Sequence, residues 1–180
     1  SDSSLHCWGN NDNGQLGDTT TIDKNTPVSI NVGGDSVAVS AGDAHTCVIY
    51  SSTSKSMKCW GDNSFGQLGD GGTNQQNDAN SVSAILTGIT TVEIGAKQTC
   101  AVDTTRMLHC WGGSSEGQVG DGSTSSQVTT TTAIDLGLNL GALSLAAGGS
   151  YTCVVATNDL ARCWGGFGSD GDLSIGSSPE

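Results

Sequence analysis

A Cys-Trp-Gly block returns along this chain at a nearly constant interval, and that interval limits the folds open to it more than any other feature. The cysteines of the block, Cys7, Cys59, Cys110 and Cys163, are separated by 52, 51 and 53 residues. A second set, each preceded by Thr in "HTC", "QTC" and "YTC", falls at Cys47, Cys100 and Cys153, with 53 residues between neighbours. Gly42, Gly95 and Gly148 keep the same 53-residue beat. A fixed period of this length means one supersecondary unit copied and stacked, with each copy burying its apolar face against the next.

Within a period the order of segments is constant. A small-residue strand ends in Gly and runs into the Thr-Cys strand, as in "VAVSAGDAHTC", "VEIGAKQTC" and "LSLAAGGSYTC". A short polar turn leads to the Cys-Trp-Gly strand, then a long Gly/Asn/Asp/Thr loop, and then a further apolar segment such as "PVSINV" or "SVSAIL". Roughly four short strands per unit of about 50 residues is the size of a propeller blade. Composition agrees, since 27 Gly, only 2 Pro and 13% charged residues suit short strands joined by turns. The expected fold is all-β: a propeller-type array of four-stranded blades, forming an incomplete ring of about three to three and a half blades. Residues 1–180 read as one array, with a partial unit at 1–36, full units at 37–89 and 90–142, and a partial, degenerate unit at 143–180.

The paired cysteines test the hairpin arrangement. Residues 47 and 59 centre on Thr53, 100 and 110 on Thr105, and 153 and 163 on Asn158, each inside polar turn sequence. Folding about these midpoints sets Cys opposite Cys, about 4.5 Å apart at Cα in a non-hydrogen-bonded pair, which is within disulfide range. The first hairpin is longer by two residues, and a symmetric insertion preserves the register. Six cysteines allow fifteen connectivities. The one that repeats with the unit is Cys47–Cys59, Cys100–Cys110 and Cys153–Cys163. Reduced cysteines that merely fill a core are the alternative. No C-x-x-C occurs, which argues against zinc-ribbon and thioredoxin chemistry.

Trp8, Trp60, Trp111 and Trp164 each follow a cysteine, so on a strand they face away from the sulfur. They are expected to be core residues between neighbouring sheets, with a ligand-stacking platform as the alternative. Leu16, Leu68 and Val119 supply one buried side chain to each "GQLG"-type loop, whose glycines allow positive φ. Asp18, Asp70 and Asp121 recur in register, which favours a side-chain-to-backbone bond in a turn over a single metal site.

The pattern G-x-x-H-T-C, polar turn, C-W-G-x-N-x-x-G-Q-L-G-D-G resembles the regulator-of-chromosome-condensation repeat, in its disulfide-bearing version from secreted proteins. The resemblance runs over nearly the whole chain. It implies a β-propeller, typically of seven four-stranded blades, and leaves function open, because such rings serve as a nucleotide exchange factor, a plant light receptor and a secreted inhibitor of β-lactamase. Two departures matter. Three periods cannot close a ring, and the final "CWGGFGSDGDLSIG" has Asp172 where Gln stands in "GQLGD", which suits a capping repeat. Cys7 is the sharper departure. By analogy its partner belongs ten or twelve residues upstream, so Ser1 is expected to lie inside a longer repeat protein; a free thiol and a Cys7–Cys7 dimer are the alternatives.

No constellation for catalysis, cofactor or metal emerges. His6 and His109 share a slot with Lys58 and Arg162, expected to be an exposed strand position, and His45 shares one with Gln98 and Tyr151. G-x-S-x-G is absent, and the acidic loops lack the D-x-[DN]-x-[DN]-G spacing of a calcium site. A net charge of -12 repels phosphate backbones, and no apolar run approaches a membrane span. Thr129, Thr130, Thr131 and Thr132 are a candidate O-glycan run or simply strand. These observations lead to the expectation of an extracellular or cell-surface structural or interaction module, non-catalytic, with other proteins or its own copies as partners. A secreted propeller that binds or inhibits one specific partner is the alternative, and a nuclear exchange factor is disfavoured by acidity, disulfides and the short array.

Overall fold

A computed structural model of the chain describes residues 4–51, 55–79 and 85–166. The turn centre Thr53, most of "SVSAIL" and the degenerate stretch around Asp172 lie outside the described residues. The described residues form thirteen strands, all antiparallel in their pairings, and no helix. β1 (Leu5–Gly9) pairs with β2 (Lys24–Ile30). β3 (Ser36–Ala41), β4 (His45–Tyr50), β5 (Ser56–Gly61) and β6 (Leu86–Thr87) make a four-stranded meander. The next meander comprises β7 (Ile89–Ile94), β8 (Gln98–Asp103), β9 (Leu108–Gly112) and β10 (Val128–Ile134). β11 (Ala142–Gly148), β12 (Tyr151–Ala156) and β13 (Ala161–Gly165) complete the array. The sheets stack as successive blades in an arc that does not close, a partial propeller.

Each full blade repeats its irregularities along with its strands. β3, β7 and β11 all carry a register shift at the same place, between Ser36 and Ala38, Ile89 and Thr91, and Ala142 and Ser144. A bulge there bends the strand and increases its twist. In the hairpins that follow, Cys47 sits opposite Cys59, Cys100 opposite Cys110 and Cys153 opposite Cys163. All three pairs are disulfide-bonded with Cα atoms 4.1 Å apart. Cys7 is the free cysteine among the described residues.

Three apolar clusters fill the three junctions between consecutive sheets. The first joins Leu5, Ile30 and Val32 to Val48 and Trp60. The second packs the Cys47–Cys59 bridge on Val92 and Ile94 of β7, with Leu68 and Trp111. The third packs Cys100–Cys110 on Leu145 of β11, with Val119 and Val154. Each bridge staples a hairpin, and Cys47–Cys59 and Cys100–Cys110 also present apolar sulfur to the next blade.

The slot shared by His6, Lys58, His109 and Arg162 differs from its expected exposure. Lys58 is buried, and His109 and Arg162 are half-buried; only His6 is exposed. The cause is a carbonyl within reach. Lys58 Nζ donates to Val32 O at 3.1 Å, and the Arg162 guanidinium donates to Leu136 O at 2.8 Å, so each long side chain ties the outer hairpin to the loop entering its own blade. His109 instead meets Asp103 Oδ2 at 3.1 Å. Burial opposes ionisation of Asp103, yet hydrogen bonds from Thr105, His109 and Met107 outweigh it and hold its pKa at about 2.

The threonine run Thr129 to Thr132 lies within β10, where Thr132 pairs with Cys110 and Thr130 bridges to Asp70. Thr130 is the exposed member of the four.

Candidate interaction surface

The geometry of any surface on this molecule is set by how one blade holds the next. In each hairpin the Thr before one Cys sits opposite the Trp after the other: Thr46 with Trp60, Thr99 with Trp111, Thr152 with Trp164. Both side chains then donate to one backbone carbonyl of the preceding blade's loop. Gln15 O accepts from Thr46 Oγ1 at 2.8 Å and Trp60 Nε1 at 3.0 Å. Gln67 O accepts from Thr99 and Trp111 at 2.8 and 2.9 Å, and Gln118 O from Thr152 and Trp164 at 2.8 and 3.1 Å. A single oxygen, its two lone pairs satisfied in a dry site, therefore locks each junction. The threonines were missed by sequence reasoning, although their 53-residue spacing was a signal available to find them.

Trp60 and Trp111 are fully buried by this arrangement, and Trp164 is half-buried. Trp8, expected as the first core tryptophan, is 60% exposed. The reason follows from the clamp: a ring is covered by the loop of the blade before it, and no loop among the described residues lies over Trp8. Leu16, Leu68 and Val119 are buried beneath their loops. The loop aspartates bond as turns, with Asp18, Asp70 and Asp121 each accepting from the backbone N–H two residues on, in Thr20, Gly72 and Ser123.

The glycine closing each loop lies under the ring it serves. A Cβ built on Gly69, whose φ is +74°, falls 2.6 Å from Trp111 Nε1, whereas one on Gly122, at φ +79°, meets nothing within 4 Å. Gly122→Ala tests the left-handed backbone alone, with an expected cost of about 1–2 kcal/mol. Gly69→Ala adds a packing conflict and should cost about 1–3 kcal/mol more. Chemical denaturation of the two variants checks this; equal losses would show that the ring does not press on the loop.

His45 belongs to the second junction. Thr99 Oγ1 gives its proton to Gln67 O and so accepts one from His45 Nε2, 2.8 Å away, leaving Nδ1 as a buried atom with no partner among the described residues. Gln98, in the equivalent slot, reaches forward to Gly148 O and Tyr151 O. Burial lowers the pKa of His45 from 6.5 to about 4, although the charge of Asp62 pulls it upward. Between those values the unfolded chain binds a proton that the folded chain does not. Stability is therefore expected to fall as pH drops from 6.5 towards 4, by on the order of 3 kcal/mol from this group. The measurement is unfolding free energy against pH for the parent and for His45→Gln; parallel profiles would contradict it.

With junctions locked, recognition falls to what remains exposed. Among the described residues no group of three or more His, Cys, Asp or Glu converges in a way that could hold a metal ion. A cleft of about 650 Å³ opens on the rim between the last two sheets. It lies between the β8–β9 turn, with Arg106 and Met107, and the loop before β11, with Asp135, Leu136 and Leu140. Leu138, in that loop, is 95% exposed, and Met107 is also exposed. Apolar tips beside an arginine, against an otherwise acidic chain, make this rim a candidate protein contact.

Comparison with known families matches residues 2–49 and 37–67 to the "Regulator of chromosome condensation (RCC1) repeat". Residues 2–67 carry the regulator-of-chromosome-condensation repeat. Relatives sharing this repeat architecture include the Ultraviolet-B receptor UVR8 of Arabidopsis thaliana, 30% identical over 177 residues that cover 96% of this chain and 39% of the receptor. Another is the probable E3 ubiquitin-protein ligase HERC4 of Homo sapiens, 30% identical over 98% of this chain and 17% of the ligase. The chain thus spans less than half the length of these relatives. The crystal structure of human WBSCR16 superposes with a TM-score of 0.77 at 20% identity, over 92% of this chain and 43% of that one. Yeast RCC1 (Prp20), in its complex with Kap60, gives 0.74 at 18% identity, over 92% and 38%. In this chain the clamp, the bridges and the turn aspartates are scaffold.

Proposed function

We propose that the chain is a non-catalytic extracellular or cell-surface interaction module, whose rigid blades present variable rim loops to other proteins, copies of itself included. The observation that supports this most is the combination of three hairpin disulfides with an exposed apolar rim. Disulfides of this density suit an oxidising compartment, and the exposed Met107 and Leu138 offer apolar contact surface at the cleft rim. A protein partner with an apolar anchor and a carboxylate for Arg106 fits the cleft.

The test is sedimentation across a concentration series, with microscopy of the native material, for the parent and for Met107→Glu combined with Leu138→Glu. Association that weakens in the double variant supports the reading. Strictly monomeric particles that bind no protein, or turnover of a peptide or glycan substrate above a heat-treated control, would overturn it.

A further inference from the structure

The second and third junctions differ at the end where the loop carbonyls clamp them. In the third, the ties between blades are amides: Ala96 N–H donates to Gly149 O at 3.0 Å, and Gln98 Nε2 donates to Gly148 O at 2.9 Å and to Tyr151 O at 3.1 Å. None of these groups titrates. One blade earlier, His45 stands in the place of Gln98, fully buried, with its Nε2 2.8 Å from Thr99 Oγ1, which itself donates to the clamp carbonyl Gln67 O. The second junction is tied through an imidazole.

The other ring nitrogen lies in a dry, closed place. A Cβ on Gly42 would meet Gly95 O at 2.6 Å and His45 Cε1 at 3.6 Å, so the bends of the two blades touch with no room for a side chain beside the ring. Nδ1 is buried there with no partner among the described residues. A second ring proton would turn this bare acceptor into a cationic donor with nothing to receive it, which is far more costly. The elements around the ring carry Asp43 in the β3–β4 turn, Asp62 after β5, Glu93 on β7 and Lys97 in the β7–β8 turn. Asp62 is the one whose charge acts on the ring, and its carboxylate already accepts from Ser64 and Gln67. Lys97 spans the same junction, 4.3 Å from the centroid of the Phe65 ring.

We propose that His45 makes the second junction a proton-operated joint: in acid the blade of β3–β6 parts from the blade of β7–β10 at their clamped end, while the first and third junctions stay closed. Parting there breaks the side-chain bonds to Gln67 O and leaves both meanders whole, because the strands pair within their own blades and each hairpin keeps its bridge. The released ring meets water and returns to its ordinary pKa of 6.5, whereas burial holds the closed ring at about 4. Between those values the open joint binds a proton that the closed one does not, so opening gains about tenfold for each unit by which the pH falls. Glu93 works in the opposite direction, since burial pushes its carboxyl up, and it is common to the parent and the variant below. The rim cleft lies between the last two sheets, so the joint moves it as a whole and leaves its walls in place.

Each clamp carries its own reporter, the indole N–H of Trp60, Trp111 or Trp164. Hydrogen exchange of the three indoles, read by NMR at pH 7.5 and 5.0 and corrected for the intrinsic rate, measures the opening of each junction in the parent and in His45→Gln. In the parent, the opening constant at Trp111 is expected to be about 30-fold larger at pH 5.0 than at pH 7.5, with Trp60 and Trp164 unchanged. The variant should show no such rise. Loss of protection at all three indoles together would mean that the proton unfolds the chain instead of opening one joint, and overturns the proposal. So does a parent Trp111 indifferent to pH, or a rise that persists in His45→Gln. Should the variant fail to fold, the contrast among the three indoles of the parent decides alone. The joint goes beyond the interaction reading and does not rest on it, so association through the rim can fail while the joint stands.

Discussion

Trp111→Ala is expected to destabilise the chain by about 3–5 kcal/mol, whereas the same change at Trp8 should shift stability by less than about 0.5 kcal/mol. The two residues occupy the same place in the same motif, and their difference lies in their neighbours. Trp111 is fully buried, fills the second junction and donates to Gln67 O. Its removal leaves a cavity and takes one of the two bonds from that carbonyl. Trp8 is exposed. Urea or guanidinium unfolding of the two variants checks the contrast, and Trp111→Phe separates the terms, since it keeps most of the packing and loses only the hydrogen bond, at about 1–2 kcal/mol. Comparable losses at Trp8 and Trp111 would show that motif position, not the covering loop, determines what the ring contributes.

The second large effect concerns the bridges. Replacing Cys100 and Cys110 together by alanine is expected to cost about 3 kcal/mol through the freed ten-residue loop in the unfolded chain. A further loss follows because both sulfurs are fully buried against Leu145 and Val154 in the third junction. Cys7→Ala, by contrast, should be nearly neutral. Unfolding midpoints measured with and without reductant test the same point on the parent protein. A parent whose midpoint ignores reductant would mean that the junction clusters alone hold the blades.

The architecture was largely legible because it depends on spacing. The 53-residue beat of Cys47, Cys100 and Cys153 sets the blade length, and symmetric turns set which residues face each other. What stayed illegible depends on groups that sequence does not display. The clamp acceptor is a main-chain oxygen, so Gln15, Gln67 and Gln118 look like ordinary loop residues, and their threonine donors look like incidental strand residues. Trp8 reads like its copies because exposure is a property of the adjoining loop. Lys58 and Arg162 read as surface cations, yet Val32 O and Leu136 O draw them inward. The rim was invisible for another reason: Met107 and Leu138 belong to turns whose side chains follow no period, and their proximity to one cleft comes from the stacking of two blades.

Each blade grips the next through a peptide carbonyl, and the buried glutamine that owns it braces its own loop, its Oε1 accepting from the backbone N–H of Asn13, Phe65 or Glu116. A gene segment encoding one period can be duplicated, deleted or recombined, and the newcomer still offers the oxygen in front and the Thr–Trp pair behind. Loop residues are then free to drift towards new partners while the joints keep working, so arrays of different length can arise by simple copying errors.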